Sequence, residues 1–553
     1  MTAHDASGLR RPAERSADTD TAADTATAAD TATDSAADLP TAADPQAVGG
    51  GAALRAWALR QLWLWPALVT FLVTAFESWR PVMGQDELIS WSMTRRSASQ
   101  VIATLHHVDA VHGAYYLLLN LWTRAFGDSL FSMRLPGVLG MTAAAAFVTL
   151  TARIRFGNRA ALVSGLLFAF LPTVTWYAQD IRSYPLVVGA AAGSTWMLMR
   201  ALEKPTWPRW VGYAVFLGLA GLLNLIALTI VCGHAVVVAL RWWQRRERAL
   251  LLGFLPAAVV AGMCTLPVVL MGEQQASSQV DWVPRPTVAG LGSLWVQLFT
   301  SWAVAWAAVV LIVLALVLAF VRRSGRRAVL ELAVIGLLPV AVVLGASMEG
   351  KVSYWLARYL LFTVPALAIV MGSVIASLRL RTVVVSALVV VTALGLPAQQ
   401  FIRGTSSHDW FTYPEPTPFH LSEHTVDFPG AAKVIEDGYR PGDAVAYLRS
   451  PVAYRSVDLG VGYYLPRNLV MPDVFLAETA ARHNGIWAVQ CTDPGRCLAA
   501  RDPDRIWVVT LGAVPGNPFP GLPGAEVRAL DAGYSVTEVD RLRDMTVTLV
   551  VRK

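Results

Sequence analysis

Three patches of this chain set groups that can move a proton or hold an anion beside long apolar runs. The first is Gln85-Asp86-Glu87, followed by His106, His107, Asp109 and His112 and then Tyr115 and Tyr116. The second is Trp176-Tyr177-Ala178-Gln179-Asp180-Ile181-Arg182-Ser183-Tyr184, and the third carries Glu349, Lys351, Tyr354, Arg358 and Tyr359. A carboxylate can take the proton of an attacking hydroxyl. Guanidinium groups can bind two oxygens of a leaving phosphate whose charge grows in the transition state. Asp86 and Glu87 are the candidate carboxylates, Arg182, Arg358 and Lys351 the candidate cations, and Tyr184 and Tyr359 candidate hydroxyl donors. His106, His107, His112, Tyr115, Gln179 and Asp180 complete a set of polar candidates that together suit a polar cavity. The carboxylates and histidines show no recognisable ligand spacing, so a divalent cation stays open as a cofactor and no metal site is assigned.

Each group also has an ordinary explanation. Adjacent acids after an apolar run are often a solvated loop, tyrosines at a membrane boundary are anchors, and a His pair is commonly a polar loop feature. Asp180 and Arg182 resist this. An ionisable group at the hydrocarbon edge costs up to about 3 kcal/mol on insertion scales unless a cavity or partner receives it.

The elements that must position these residues are membrane spans. A 553-residue chain that is 55% hydrophobic, with a mean hydropathy of +0.47, is too apolar to be soluble. Eleven apolar runs are predicted to span, at roughly 57–79, 130–152, 159–177, 183–202, 209–223, 225–241, 249–271, 296–321, 328–347, 357–378 and 381–400. Basic residues fall at every second connection: Arg55 and Arg60, Arg153 to Arg159, Lys204 and Arg209, Arg241 to Arg248, Arg322 to Arg327, and Arg379 and Arg381. By the positive-inside rule these loops and the N-terminus are cytoplasmic, and all three reactive patches face outward. The count requires 112–127, short and amphipathic, to lie at the interface rather than cross.

The ends differ from the middle. Nine acids against three bases leave the first 46 residues at −6, so the rest of the chain carries +12 of the net +6. The Ala-, Thr- and Asp-rich stretch within 1–50 has no apolar periodicity and reads as a disordered cytoplasmic tail. Beyond the membrane domain, 51–400, residues 401–553 have soluble composition and are predicted to form an extracytoplasmic α/β domain. Its helix is expected at 429–438, with strands at 444–448 and 506–511 and a strand pair within 535–552. Cys491 and Cys497, in a short turn-rich loop, are expected to pair as a disulfide if this domain lies outside the cytoplasm, whereas Cys232 and Cys264 read as small core residues.

Gly84-Gln85-Asp86-Glu87, His112-Gly113-Ala114-Tyr115-Tyr116-Leu117-Leu118-Leu119, Ser132-Met133-Arg134-Leu135-Pro136, Tyr177 to Tyr184 and Arg358-Tyr359-Leu360-Leu361, in this order, resemble the GT-C superfamily of integral-membrane glycosyltransferases. The similarity is to the protein O-mannosyltransferase and aminoarabinose-transferase-like branch and covers roughly 57–380. Many relatives carry Pro-Pro or Lys-Pro where this chain has His112-Gly113. The resemblance implies a polytopic α-helical membrane protein with about eleven transmembrane helices and an acidic residue in the first outer loop that serves as catalytic base, which maps onto Asp86, with Glu87 beside it to place the acceptor or a divalent ion. For such a reaction Arg182, Arg358 and Lys351 are expected to receive the leaving phosphate, with hydroxyl donors from Tyr184 and Tyr359, and His106, His107, His112, Tyr115, Gln179 and Asp180 to hold the acceptor or the sugar. It further implies a polyprenyl-phosphate-linked sugar as donor, transferred with inversion to an extracytoplasmic hydroxyl of a glycan, glycolipid or protein at the plasma membrane, with no nucleic-acid partner. The Ala-, Arg- and Trp-rich composition is that of a high-GC bacterium, where mannose or arabinose would be natural sugars. The competing readings are a lipid-linked-sugar transporter or flippase, which would place charges at mid-span or show internal repeats, and an inactive envelope-assembly scaffold.

Overall fold

The computed structural model describes residues 61–322, 325–404, 426–449 and 456–553, apart from the side chains of 277 and 278. The tail expected over 1–50 lies outside the described residues.

Helices stand at all eleven expected positions, and they are not equally suited to crossing. Among the described residues seven are long and apolar enough: Leu130–Phe156, Leu225–Arg245, Arg248–Ala276, Trp302–Arg322, Arg326–Glu349, Ala357–Ser377 and Arg381–Ile402. An eighth arises if Asn158–Phe170 and Pro172–Ala178, bent by 59°, form one span. The bend falls where Leu171 is extended and Pro172 opens a new helix. The remaining three are the twelve-residue Leu64–Ala75, the seventeen-residue Trp207–Leu223, and Tyr184–Glu203, whose Gly, Ala, Ser and Thr lower its hydropathy. One boundary differs from expectation. The run placed at 296–321 is two helices, Val288–Phe299 and Trp302–Arg322, separated where Thr300 takes a left-handed backbone. The segment expected at the interface forms the fourteen-residue helix Gly113–Phe126, about 21 Å long and too short to cross; it buries Tyr115, Tyr116, Leu119 and Asn120 and exposes Leu117, Leu118 and Leu121.

Close backbone approach sets the region that carries the second reactive patch. A Cβ on Gly140 would meet the Pro185 carbonyl oxygen at 2.7 Å, one on Gly189 the Gly140 carbonyl at 2.7 Å, and one on Gly137 the Ala178 carbonyl at 2.6 Å. The helix Leu130–Phe156 and the start of Tyr184–Glu203 are therefore in direct contact, as small residues allow between membrane helices. The loop 179–183 is clamped against them.

The two ends of the bundle carry different ionic arrangements. At one end Glu331, 4% exposed, accepts from Arg241 Nε at 2.7 Å and Nη2 at 2.9 Å, from Arg327 Nε at 3.0 Å, and from Arg155. Three of the connections predicted to share a side thus meet on one carboxylate. The reactive patches converge elsewhere, as described below.

The C-terminal part begins with the helix Phe428–Gly438 and builds a four-stranded sheet in the order β1-β4-β6-β5, where β1 is Ala444–Tyr447, β4 Arg505–Leu511, β5 Tyr534–Leu542 and β6 Met545–Arg552. β1 and β4 run parallel and the other pairs antiparallel, with Ile506 opposite Ala444 and Val550. A two-stranded ribbon, β2 (Leu476–Glu478) and β3 (Val489–Gln490), lies alongside, and Cys491 and Cys497 are joined as a disulfide. Cys232 is partly exposed and Cys264 exposed within their helices, so the expectation of two core cysteines is corrected: both helices turn those positions outward from the protein interior.

Replacing Gly140 by Val should lower the melting temperature in detergent, since overpacking against backbone costs about 1–3 kcal/mol. Gly262→Val, where an added Cβ meets nothing within 4 Å, should leave it unchanged; equal melting temperatures for the two variants would contradict the packing described.

Candidate active site

The helix Gln85–Thr94 starts at Gly84, and the Glu87 carboxylate turns back to accept from the Gly84 amide at 3.1 Å, closing the first turn. Glu87 is buried and fully engaged. Its Oε1 accepts from Arg134 Nε at 3.1 Å and from the Ile181 amide at 3.1 Å, and its Oε2 accepts from Arg134 Nη2 at 2.9 Å. Arg134 spends its other terminal nitrogen on the carbonyls of Ser78 and Pro81, at 2.6 and 2.9 Å. The expectation that Glu87 holds an acceptor or a divalent ion is corrected accordingly. Both its oxygens are consumed in joining the first loop, the helix Leu130–Phe156 and the loop 179–183, which makes it a positioning residue that aims its neighbour.

That neighbour, Asp86, faces a different set of partners. Its Oδ1 lies 3.0 Å from Arg182 Nη2 and its Oδ2 2.9 Å from Arg358 Nη1, so one carboxylate bridges two guanidiniums contributed by residues 96 and 272 positions later in the chain. Arg182 also donates to the Tyr116 hydroxyl at 2.8 Å, and that hydroxyl donates to Asp109 at 2.7 Å. Burial by itself would raise the Asp86 pKa, but the Arg182 and Arg358 charges, with His112, outweigh it and hold the carboxyl below the usual range. The guanidinium of Arg358 sits 5.5 Å from the Trp282 ring centre, 5.9 Å from Tyr184 and 5.7 Å from Tyr359, a cation enclosed by three aromatic rings.

Asp180 is the complementary case. It is buried, and neither of its oxygens has a hydrogen-bond partner. Burial, then the nearby carboxylates of Glu87 and Asp86, push its pKa well above the ordinary value and so favour its protonated form. Both amide atoms of Gln179, the Ser183 hydroxyl, Arg182 Nε and His112 Nδ1 are likewise buried without partners. Native interiors rarely leave such atoms unpaired, and a run of them beside a carboxylate and two arginines is what a polar ligand would satisfy. Tyr115 is buried in the same neighbourhood, its hydroxyl held protonated by burial and then by the nearby Asp180.

Three predicted residues fall outside this cluster. His106 and His107 are exposed past the end of the helix Ala98–Leu105, and His107 Nδ1 lies 2.9 Å from the Ala103 carbonyl of its own helix. Lys351 is also exposed. Among the described residues, no group of three or more His, Cys, Asp or Glu side chains is placed to hold a metal ion. Arg134, Asp109 and Trp282 are the participants to which sequence reasoning gave no role. Arg134 stood inside a quoted motif, Asp109 between the histidines, and Trp282 in a loop with no other signal.

The sequence and the fold have counterparts in known proteins. Residues 114–271 match the sequence profile of the dolichyl-phosphate-mannose-protein mannosyltransferase family. The crystal structure of ArnT from Cupriavidus metallidurans in the apo state superposes with a TM-score of 0.55 at 14% identity, covering 90% of this chain and 98% of that one. The chain shares the fold of this ArnT. The same ArnT bound to undecaprenyl phosphate gives a TM-score of 0.55 at 17% identity, covering 88% of this chain and 97% of that one. No curated protein sequence matches the chain. The shared fold accounts for the helical architecture, in which seven helices among the described residues, or eight with the bent pair, are long and apolar enough to cross a membrane.

Two outcomes follow from these contacts. Glu87→Gln leaves Arg134 buried without its counter-ion and should destabilise the protein by about 3–5 kcal/mol, read as a large loss of melting temperature in detergent; an unchanged value would remove the latch. His112 is held neutral, its pKa lowered to about 4 by burial and then by Arg182. A lowered histidine binds its proton less tightly when folded, so stability is intact above pH about 6.5 and declines as pH falls towards about 4. His112→Gln should flatten that decline in a melting-temperature profile.

Proposed function

We propose that this chain transfers a sugar, with inversion, from a polyprenyl-phosphate carrier to a hydroxyl of an acceptor, with Asp86 as the base. The observation that carries the reading is Asp86 bridging Arg182 and Arg358 in a pocket of otherwise unspent polar atoms. The family profile over 114–271 and the fold shared with an ArnT solved with undecaprenyl phosphate support a lipid-phosphate donor.

The chemistry follows from the contacts. A phosphate is already a good leaving group, so no carboxylic acid is needed to protonate the departing oxygen, in contrast to a glycosidase. What it needs is fixed positive charge, and Arg182 and Arg358 provide it. Those cations are tied to Asp86 while the donor is absent. A donor phosphate competes for both, and each bond it takes loosens Asp86 and removes part of the field that depresses its pKa. The freed carboxylate, now a stronger base, accepts the proton of the acceptor hydroxyl as that oxygen attacks the anomeric carbon and the carbon–phosphate-oxygen bond breaks. Asp180, whose protonated form burial favours, donates to a hydroxyl of the sugar, with Gln179 beside it. Tyr184 and Tyr359 flank Arg358. The bundle face that carries this site also carries the disulfide-bearing C-terminal domain, and alternate connections carry the positive charge. Both support a plasma-membrane protein with a cytoplasmic N-terminus and an outward site. Mannose or arabinose remains the proposed sugar, and a glycan, glycolipid or protein the proposed acceptor.

In detergent, with a radiolabelled polyprenyl-phosphate sugar, Asp86→Asn should reduce transfer by about 10²–10⁴-fold while the protein still accumulates in the membrane. Wild-type turnover in Asp86→Asn would remove Asp86 from the mechanism. Asp180→Asn, neutral like the protonated acid, should keep most of the activity that Asp180→Ala loses. Equal loss in both would show that a charged Asp180 is required.

A further inference from the structure

A second cavity, of about 690 Å³, opens at the seam between the membrane helices and the C-terminal domain. The membrane side supplies Trp91, Arg95 and Asp128, and the C-terminal side Tyr447, Arg449 and Tyr463. Its size falls within the range of about 300–1,000 Å³ typical of ligand sites.

The lining is informative about what would fit. Asp128 accepts from Trp91 Nε1 at 3.3 Å, receives the Arg467 guanidinium, and lies 3.9 Å from Arg95. Arg449 is matched by Asp458 at 3.1 Å and by Asp473 at 2.5 Å. The lining holds Arg95, Arg449 and Arg467 against Asp128 and Asp473, and Asp458, just behind it, also pairs with Arg449, so each arginine has a carboxylate partner and little free charge is left to select a strong anion. Between these charged pairs stand flat aromatic surfaces. Trp91 and Tyr463 meet edge to face at 5.2 Å, and Tyr463 packs on Tyr464 at 4.9 Å. Aromatic faces alternating with fixed, charge-balanced donors and acceptors suit a neutral molecule that has apolar ring faces and a rim of hydroxyls. That is the surface of a sugar chain.

The cavity is linked to the candidate active site by one element. Trp91 is on the helix Gln85–Thr94 that carries Asp86, about 7.5 Å further along its axis and roughly 140° around it. The wall therefore lies behind the reacting group rather than continuous with it. We infer that this seam is a distal saccharide site, which holds a remote part of an oligosaccharide acceptor several sugars away from the hydroxyl that reacts. The inference rests on the glycosyl-transfer reading for the role of the bound chain, and on the cavity alone for the binding.

Gly462 gives a way to test it. It lines the cavity, and an added Cβ there meets nothing within 4 Å, so a side chain can start there without a clash and Gly462→Trp is the variant to occupy the space. Full-length protein in detergent would be titrated calorimetrically with linear mannotetraose and with a linear arabinofuranosyl tetraose, without donor. At least one should bind wild type, and Gly462→Trp at an unchanged melting temperature should weaken that binding at least tenfold. In the transfer assay the same variant should raise KM for a tetrasaccharide acceptor with kcat little changed, and should leave KM for a monosaccharide glycoside as in wild type. Neither tetraose binding wild type, or binding unaffected by Gly462→Trp, overturns the proposal. Tetraose binding that Gly462→Trp abolishes in a protein with no transfer activity would keep the saccharide site and reject the transferase reading instead.

Discussion

Much of the arrangement depends on one carboxylate held between two guanidiniums at the edge of the membrane. An isolated charge there is expensive, and each partner lowers the cost for the others: Asp86 pairs with two arginines, and Arg182 is shared onward with Tyr116 and, through it, Asp109. The cluster carries one more positive charge than Asp86 alone can cancel. A second negative group arriving near Arg182 and Arg358 is therefore met by cations already dehydrated and oriented, which is the condition under which electrostatic stabilisation of a leaving phosphate is strong.

Holding that cluster requires a scaffold that does not yield, and the sequence places the scaffold immediately beside it. Glu87, one residue from Asp86, is locked to Arg134 and the Ile181 amide. Ile181 in turn lies between Asp180 and Arg182, so one buried ion pair fixes the helix bearing Asp86 and the loop bearing Arg182. Glycines 137 and 140 let that loop settle against backbone. Two adjacent acids that look alike in sequence have separate duties because successive residues on a helix point about 100° apart, one into the scaffold and one into the pocket.

How far this was legible in the sequence varies with the range of the interaction. The helix positions, the short interfacial helix at 112–127, the strands at 444–448, 506–511 and 535–552, and the pairing of Cys491 with Cys497 all rest on local periodicity or spacing, which a single sequence carries. The convergence of Asp86, Arg182 and Arg358 was legible only through loop charge, which sorted residues far apart in the chain to one face; the meeting of Arg155, Arg241 and Arg327 on Glu331 agrees with that sorting. Spans such as 183–202 read as membrane-crossing from their run of uncharged residues, yet their small side chains serve helix contact more than lipid solubility. The division of labour between Asp86 and Glu87 was not legible, because it depends on Arg134, whose partner is chosen by packing. Nor was Trp282, since nothing near it in sequence announces that its ring will meet Arg358. Histidines 106 and 107 and Lys351 were overvalued for the converse reason: residue type and side of the membrane say nothing about whether a side chain points inward.

The contrast between Asp86 and Asp180 bears on the order of events. They lie in the same buried pocket, and the field of the two arginines is what separates them: the pKa of Asp86, in contact with both, is lowered, while that of Asp180, without a hydrogen-bond partner and close to two other carboxylates, is raised. If a phosphate draws Arg182 and Arg358 away from Asp86, that difference narrows, because the cations that kept Asp86 acidic now serve the ligand. A base strengthened only after the donor is seated cannot abstract a proton from an acceptor, or from water, in the donor's absence. The same ion pair that makes the empty pocket tolerable at the membrane edge would thereby keep it inactive until its lipid substrate arrives, and stability of the ligand-free state and discrimination in the reaction become two consequences of one set of contacts.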